Sequence, residues 1–164
     1  MYQVFPNIIP QENFIELSNL LSNGSWTFTG NSGDGGFTFW YKDLINESMF
    51  REDVFNLICT QTNKKFKLLQ VYANGQTHGQ PGHLHLDSQD GYTFLIYMNT
   101  FWNVEWGGNT VFFNDETKET AQVCPTPNLG ILFHGSVLHY GADPSRHFNG
   151  LRMTVAYKLL EEKQ

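Results

Sequence analysis

The spacing of hydrophobic residues indicates helices in the first part of the chain. Phe14, Leu17 and Leu21 recur at the three- and four-residue intervals of a helix, and Pro10 stands where a helix accepts proline, at its first turn. A second helix is predicted over residues 47–61, because apolar residues again follow helical spacing there: Phe50, Val54, Leu57 and Ile58.

The rest of the chain has the pattern of short strands separated by turns rich in glycine, proline and asparagine. An aromatic strand is predicted first, over residues 37–41, after a glycine-rich loop at 31–36. Further strands are predicted over residues 67–72, 83–87, 92–99, 109–113, 121–124, 130–133 and 151–159. Such strands favour an antiparallel barrel or sandwich, and helices that precede them favour a helical layer packed on one sheet.

Composition and charge restrict the class of protein. The 164 residues are 40% hydrophobic and 15% aromatic, without a repeat or linker, so we expect one folded domain over residues 1–164, helical in 1–65 and sheet-forming in 66–164. The net charge is −6 and no basic run occurs, which makes a nucleic-acid partner unlikely. Two cysteines and no apolar stretch of membrane-spanning length favour reduced thiols, a cytoplasmic location and no membrane partner.

The sequence HLHLD at residues 83–87 carries candidate metal ligands at alternate positions. On a strand, His83, His85 and Asp87 would share one face, and the leucines between them would enter the opposite, apolar face. His139, placed at the end of the apolar strand 130–133, is the candidate for a third ligand. Two histidines and one carboxylate on one face of a metal are typical of non-haem Fe(II) oxygenases. Taken alone, a motif as short as H-x-D is more typical of an ordinary surface pair of histidine and carboxylate.

An arginine in the last predicted strand adds a second kind of chemistry. Arg152 lies in the apolar run GLRMTVAYKL, and a buried arginine needs an anion. Its planar fork suits the distal carboxylate of a dicarboxylate co-substrate. Exposure of Arg152 to water at the end of a strand is the alternative interpretation.

Taken together, these motifs resemble the 2-oxoglutarate/Fe(II)-dependent oxygenases, and most closely the prolyl 4-hydroxylase-like branch. The resemblance follows the chain through VYANG, HLD, YTFLIYMN, WGGNTVFF, NLGILFHGSVLHYG and GLRMTVAY, and the N-terminal VFPNIIPQENFIELSNLL is similar to the opening strand and helix of that branch. It implies a mainly β double-stranded β-helix, or jelly-roll, with N-terminal helices packed on one sheet. It also implies an enzyme that uses Fe(II), 2-oxoglutarate and dioxygen, and that releases succinate and carbon dioxide.

The resemblance assigns roles to individual residues. It implies that iron is held by His85, Asp87 and His139. It implies that Arg152 binds the distal carboxylate of 2-oxoglutarate, and that Tyr97 and Tyr72 contact the co-substrate; a plain core aromatic residue is the alternative interpretation of each tyrosine.

Two departures from the branch leave alternatives open. The interval from His139 to Arg152 is long, so Arg146 is a rival for the anion site, within a segment, ADPSRHFNG, that is typical of a loop. His83 makes the motif H-x-H-x-D, which allows a cupin-like site of three histidines, His83, His85 and His139, without 2-oxoglutarate chemistry. No suitably placed glutamate follows, and we expect His83 near the mouth of the site instead.

The candidate substrate follows from the resemblance alone. Similarity to the branch favours a peptidyl or free proline, within a wider class of peptide, protein or small-molecule substrates. Trp102 and Trp106 are candidates for the substrate mouth, and the loop over residues 74–82 has glycines that permit closure over the site. The remaining histidines are weaker candidates: His78, His134 and His147.

Overall fold

The computed structural model describes residues 1–33 and 36–162. Helix α1 spans Gln11–Ser22 and begins directly after Pro10, as predicted. The second predicted helix is also present, but its first half, Met49–Val54, winds as a π-helix before continuing into α2, Phe55–Thr62. A 3.6-residue period does not anticipate this wider turn. Asp34 and Gly35, in the predicted loop 31–36, lie outside the described residues.

The strands form two antiparallel sheets. Their bounds are β1 Tyr2–Phe5, β2 Thr27–Gly30, β3 Phe39–Asp43, β4 Phe66–Gln76, β5 Tyr92–Tyr97, β6 Thr110–Phe113, β7 Thr120–Val123, β8 Gly130–His134, β9 Leu138–Gly141 and β10 Arg152–Glu161. Seven of them form the larger sheet in the order β1-β8-β5-β10-β4-β3-β2, and the smaller sheet has the order β7-β6-β9. The fold is therefore mainly β and of the jelly-roll type, which confirms the predicted class.

The two helices cover one face of the larger sheet. Strand β10 lies at the centre of this sheet, between β4 and β5, and its side chains alternate between two environments. One set faces the helices and is buried in the main core: Met153, Val155, Tyr157 and Leu159. From the helices, the same core receives Phe14, Leu17, Leu21, Phe50 and Ile58.

The opposite face of β10 borders a cavity between the two sheets. Arg152, Thr154, Ala156 and Lys158 line this cavity, whose volume is about 340 Å³. Beside it, a second core cluster fills the space between the sheets: Tyr97, Phe112, Val123, Ile131 and Phe133. The period of two along β10 thus divides the strand into a core face and a cavity face.

The prediction of a strand over residues 83–87 is wrong. Among the residues that the structure describes, the segment makes one isolated bridge, between His85 and His139 of β9, and its other backbone contacts with that side are single hydrogen bonds, including Asp87 N–H to Gly135 O at 2.8 Å. Leu84 and Leu86 are exposed at 40% and 42%, so they do not enter an apolar face. An irregular edge segment does not impose the strict alternation of a paired strand.

Five smaller differences concern neighbouring elements. The region 1–65 is not wholly helical, because β1, β2 and β3 lie in it; β2 was not predicted, and β3 begins two residues after the predicted start. His139 lies on a strand of its own, β9, instead of at the end of β8. Strand β4 extends to Gln76, so residues 74–76 of the expected loop are strand. None of the described helices has both the length and the apolar character needed to cross a membrane.

Candidate active site

The three predicted metal ligands meet at the wall of the cavity. His85 and Asp87 come from the irregular segment beside β9, and His139 comes from β9 itself. One ligand atom from each of the three residues lies within 4.8 Å of the others. His139 is 6% exposed and its ring packs edge-on against Phe133 at 4.5 Å, so the strand holds it in one position.

Backbone carbonyls determine which nitrogen of each histidine is free. Nδ1 of His85 lies 2.7 Å from the carbonyl oxygen of His83, and Nδ1 of His139 lies 2.9 Å from that of Val137. A carbonyl oxygen only accepts, so each Nδ1 carries the proton and each neutral ring has its lone pair on Nε2. The two Nε2 atoms lie 3.2 Å and 3.5 Å from Asp87 Oδ1 and Oδ2 respectively. Lone pairs that converge in this way suit a cation between them.

Asp87 is held by partners that the sequence motif does not contain. Its Oδ2 accepts from the Thr93 hydroxyl on β5 and contacts the Lys158 ammonium on β10, which also donates to Thr93 Oγ1 at 3.2 Å. The Lys158 ammonium stands 5.8 Å from the centre of the Tyr72 ring. The carboxylate is therefore part of a buried polar network.

The pKa values of these groups follow from burial and charge. Burial acts to raise the pKa of Asp87, but contact with His85 and the charges of Lys158 and His139 outweigh it and hold that pKa well below its usual range. Burial lowers the pKa of His139 to about 4, although Asp87 opposes the shift. Burial also lowers the pKa of Lys158, against the opposing effect of Asp87. At neutral pH the site contains an ionised Asp87 and a neutral His139, the protonation states that a metal needs.

Arg152 lies at the other end of the cavity face of β10, and it is 2% exposed. Its guanidinium donates to Gly108 O at 2.6 Å, to Gln76 Oε1 at 2.7 Å and to Thr110 Oγ1 at 3.3 Å. None of the carboxylates in the described ranges, 1–33 and 36–162, forms an ion pair with it. Three of five N–H donors are used, which leaves two for a ligand.

The glycine at 108 allows this arginine to be buried. Gly108 has φ of 72°, and a Cβ there would lie 3.1 Å from Cδ of Arg152 and 3.0 Å from the Trp102 ring. Only a residue without a side chain lets the backbone carbonyl approach the guanidinium so closely.

The two tyrosines occupy different places. Tyr72 lines the cavity and packs against Tyr41 at 5.4 Å between ring centres, and burial raises its pKa. Tyr97 is buried behind Arg152, and the centre of its ring lies 5.5 Å from Cζ of that arginine. It is not among the residues that line the cavity. Its hydroxyl donates towards Thr110 Oγ1 and Val123 O, at 2.7 Å and 3.0 Å. Tyr97 is therefore placed against Arg152, outside the residues that line the cavity.

Comparison with known proteins identifies the family of this chain. The family model described as "2OG-Fe(II) oxygenase superfamily" matches residues 68–157, more than half of the chain. The chain belongs to this superfamily. It is a 2-oxoglutarate-dependent oxygenase, with Fe(II) and 2-oxoglutarate as the implied cofactor and co-substrate, as the motifs predicted. A search of curated proteins gives no match.

Solved structures share the fold of this oxygenase at low identity. A prolyl hydroxylase from Trichoplax adhaerens, in complex with a hypoxia inducible factor peptide fragment, matches with a TM-score of 0.73 and 16% identity over 98% of this chain and 83% of that one. A viral collagen prolyl hydroxylase from Paramecium Bursaria Chlorella virus-1 gives 0.68 and 15% over 97% and 96%. An oxidoreductase of the 2OG-Fe(II) oxygenase family from Burkholderia pseudomallei gives 0.75 and 11% over 97% and 84%.

The donor set of this oxygenase fits the metal of its family. Two imidazole nitrogens and one carboxylate oxygen suit Fe(II), and their Nε2 atoms are oriented by hydrogen bonds at Nδ1. His83 is not part of the cluster: its side chain is exposed and its Nδ1 contacts the Leu84 carbonyl at 2.9 Å. The three-histidine arrangement is therefore not the one that the structure brings together.

Other predicted positions lie away from the cavity. The ring centres of Trp102 and Trp106 are 5.4 Å apart, and both rings pack on Phe148. This aromatic cluster does not line the cavity. Arg146 is outside the cavity, with its Nε 3.3 Å from Nε2 of His78. His134 contacts the hydroxyl of Ser136 at 2.6 Å on the surface.

The sequence interpretation missed Lys158, Thr93 and Gln76, which hold the ligands or Arg152 in place. A signal for Lys158 existed, because it follows Arg152 by six residues in one strand and therefore shares its face. The signal for Thr93 and Gln76 was absent, since only strand pairing brings them to the cavity.

Proposed function

We propose that this oxygenase hydroxylates a peptidyl or free proline, with Fe(II) bound by His85, Asp87 and His139 and 2-oxoglutarate bound by Arg152. One observation supports the proposal more than any other. The cavity contains a buried arginine without a carboxylate partner among the described residues, on the same strand face that reaches the His-Asp-His cluster. A buried, permanently charged guanidinium needs an anion, and a dicarboxylate supplies one.

The residues of the chain prepare the site in separate ways. When bound, iron and 2-oxoglutarate supply the oxidising chemistry that inserts one oxygen atom of dioxygen into the substrate while 2-oxoglutarate becomes succinate and carbon dioxide. The two histidines and Asp87 would hold the metal with three donors and would leave further coordination positions for other molecules. Arg152, fixed by Gly108, Gln76 and Thr110, orients the distal carboxylate. Phe112 and Phe133 pack on the His139 ring and shield that side of it from water.

Proline as the substrate rests on similarity to prolyl hydroxylases of the same fold. The cavity wall beyond the metal cluster is polar, with Asn31, Ser32, Tyr41 and Gln70 along it. Buried Oδ1 of Asn74, on the same wall, has no partner within residues 1–33 and 36–162 and suits a donor on a ligand. A peptide or free amino acid brings the hydrogen-bonding groups that such a wall requires. A cytoplasmic location stays a prediction, in keeping with the free thiols of Cys59 and Cys124.

Two arginine variants test the co-substrate site. Arg152→Gln should weaken 2-oxoglutarate binding by roughly ten- to a hundred-fold, because a charge-assisted contact contributes about 1.5–3 kcal/mol. It should leave Fe(II) binding nearly unchanged. Arg146→Gln is the matched control, since Arg146 lies outside the cavity. Anaerobic calorimetric titration of 2-oxoglutarate into both variants decides between them, and a large loss confined to Arg146→Gln would overturn the assignment.

A histidine pair tests the metal site in the same way. His85→Ala should abolish tight Fe(II) binding, and His83→Ala, two residues away and exposed, should spare it. If iron is lost on His83→Ala and kept on Asp87→Ala, the three-histidine site is the correct one.

The reaction itself is tested by Fe(II)-dependent succinate formation with prolyl peptides, free proline, other free amino acids and nucleic acids as substrates. Turnover of another class in preference to proline would refute the substrate assignment.

A further inference from the structure

A partly buried lysine contacts the carboxylate of the metal cluster, and the family motifs of this chain do not account for it. Lys158 belongs to the cavity face of β10, and its side chain is 17% exposed. Its ammonium contacts Asp87 Oδ2 and donates to Thr93 Oγ1. Since Thr93 also donates to Oδ2, that single oxygen receives two donors.

The position of the two oxygens shows what these donors achieve. Oδ1 of Asp87 lies 3.2 Å from Nε2 of His85, and Oδ2 lies 3.5 Å from Nε2 of His139. Both oxygens are therefore within reach of one metal ion, and an unrestrained carboxylate could bind it through both. A carboxylate oxygen has about two acceptor sites, and two donors from Lys158 and Thr93 occupy those of Oδ2. Only Oδ1 is left free on the side of His85.

We propose that Lys158 is a positioning residue that keeps Asp87 monodentate and so preserves an open coordination position at the metal. The inference rests on the proposed function, because it requires the His-Asp-His cluster to bind a divalent ion. The functional consequence is that the second oxygen of Asp87 would not fill a coordination position that 2-oxoglutarate or dioxygen needs.

The positive charge of Lys158 has a second effect, which is to lower the affinity of the site for a divalent cation. An ammonium next to a ligand carboxylate repels a divalent cation and competes with it for the charge of Asp87. Lys158 therefore weakens metal binding while it restricts the geometry of the ligand. Loss of this lysine should make the metal bind more tightly and in a changed coordination, whereas general damage to the site would make it bind less tightly.

Cobalt(II) is a suitable probe, because its visible absorption reports coordination number directly. Lys158→Met removes the charge and both contacts with nearly the same length of side chain. We expect about ten-fold tighter Co²⁺ binding and a changed absorption band. Lys158→Arg, which keeps charge and donors, should retain the band and affinity of the wild type. If Lys158→Met does not fold, Lys158→Gln removes the charge more conservatively, and we expect it also to bind Co²⁺ more tightly.

A matched control is present outside the cavity. Lys64 pairs with Glu161 at 2.6 Å and stands 5.3 Å from the Tyr92 ring, so it has the same kinds of partner as Lys158 without contact to the cluster. Lys64→Met should leave Co²⁺ binding unchanged. An unchanged band in Lys158→Met or, if that variant is unfolded, in Lys158→Gln, or weaker binding in the variant measured, would overturn the positioning role. Failure of the wild type to bind Co²⁺ would instead overturn the metal site, and this inference with it.

Discussion

Arg152 and Lys158 are two cations on one strand face, and they differ in whether the chain supplies a counter-ion. They are six residues apart, about 20 Å along β10. Lys158 has its counter-ion within the chain, in Asp87, whereas Arg152 has only neutral acceptors among the described residues. Asp87 thus offsets the charge of Lys158, whereas the charge of Arg152 is offset by no carboxylate of the described residues, and a dicarboxylate would supply the missing negative charge.

The exposed position of Leu86 gives a prediction at a single residue. Leu86→Asp should leave the protein folded, with a free energy of unfolding within about 0.5 kcal/mol of the wild type, because Leu86 is 42% exposed and a carboxylate there stays in water. Ile96→Asp is the control: Ile96 is fully buried on β5, and an unpaired charge at that position should prevent folding. Urea denaturation followed by circular dichroism measures both. Unfolding of Leu86→Asp would place that side chain inside the protein.

At the level of elements, the irregular segment 82–88 depends on a close approach to the turn after β8. Gly135 accepts from the backbone N–H groups of Asp87 and Ser88 at 2.8 Å and 3.2 Å. A Cβ on Gly135 would lie 2.2 Å from Ser88 Oγ and 2.9 Å from Ser88 N. The segment lacks a continuous ladder, so this contact is one of the few that determine where Asp87 lies.

Gly135→Ala should therefore displace Asp87. We expect a loss of about 1–3 kcal/mol in the free energy of unfolding, as is usual for an overpacked site, together with weaker Fe(II) or Co²⁺ binding. Ser136→Ala is the control, because Ser136 is exposed and adjacent in sequence. Thermal unfolding and metal titration of the two variants provide the measurement. Normal metal affinity in Gly135→Ala would show that the segment adjusts without moving its ligand.

On the scale of the whole molecule, buried tyrosines link stability to alkaline pH. Burial raises the pKa of Tyr97, and it raises that of Tyr157 well above the ordinary value of 10.0; the Tyr157 hydroxyl also donates to Phe50 O at 3.0 Å. Above pH 10 the unfolded chain loses these protons and the folded chain keeps them. The unfolded state then binds fewer protons, so stability is fully present below pH 10 and falls as the pH rises further.

Tyr157→Phe tests this linkage. The variant should lose about 1 kcal/mol at neutral pH, from the missing hydrogen bond, but its stability should fall less steeply above pH 10, by up to about 1.4 kcal/mol per pH unit. Urea denaturation at several pH values between 8 and 11.5, followed by tryptophan fluorescence, gives both slopes. Equal slopes for the two proteins would mean that Tyr157 ionises normally in the folded state.

The sequence alone was sufficient for the fold class, most strand positions and the identity of the clustered ligands. Helix α1 and strands such as β5 and β8 follow directly from hydrophobic period, since each buries one face and the period reports which residues lie on it. His85, Asp87, His139 and Arg152 were identified as candidates because the motifs around them, in that order along the chain, resemble those of the 2-oxoglutarate/Fe(II)-dependent oxygenases.

Only the tertiary structure decided the orientation of 83–87 and the partners of Asp87. The alternating letters of HLHLD suggest a paired strand, but pairing is a property of the neighbours, and β9 offers this segment just one bridge. Leu84 and Leu86 are therefore exposed, although their hydrophobicity predicts burial. Lys158 reaches Asp87 across 71 positions of sequence because β10 lies at the centre of the larger sheet and faces the cavity. Contacts of this kind depend on sheet order and register, which local hydrophobic pattern does not encode.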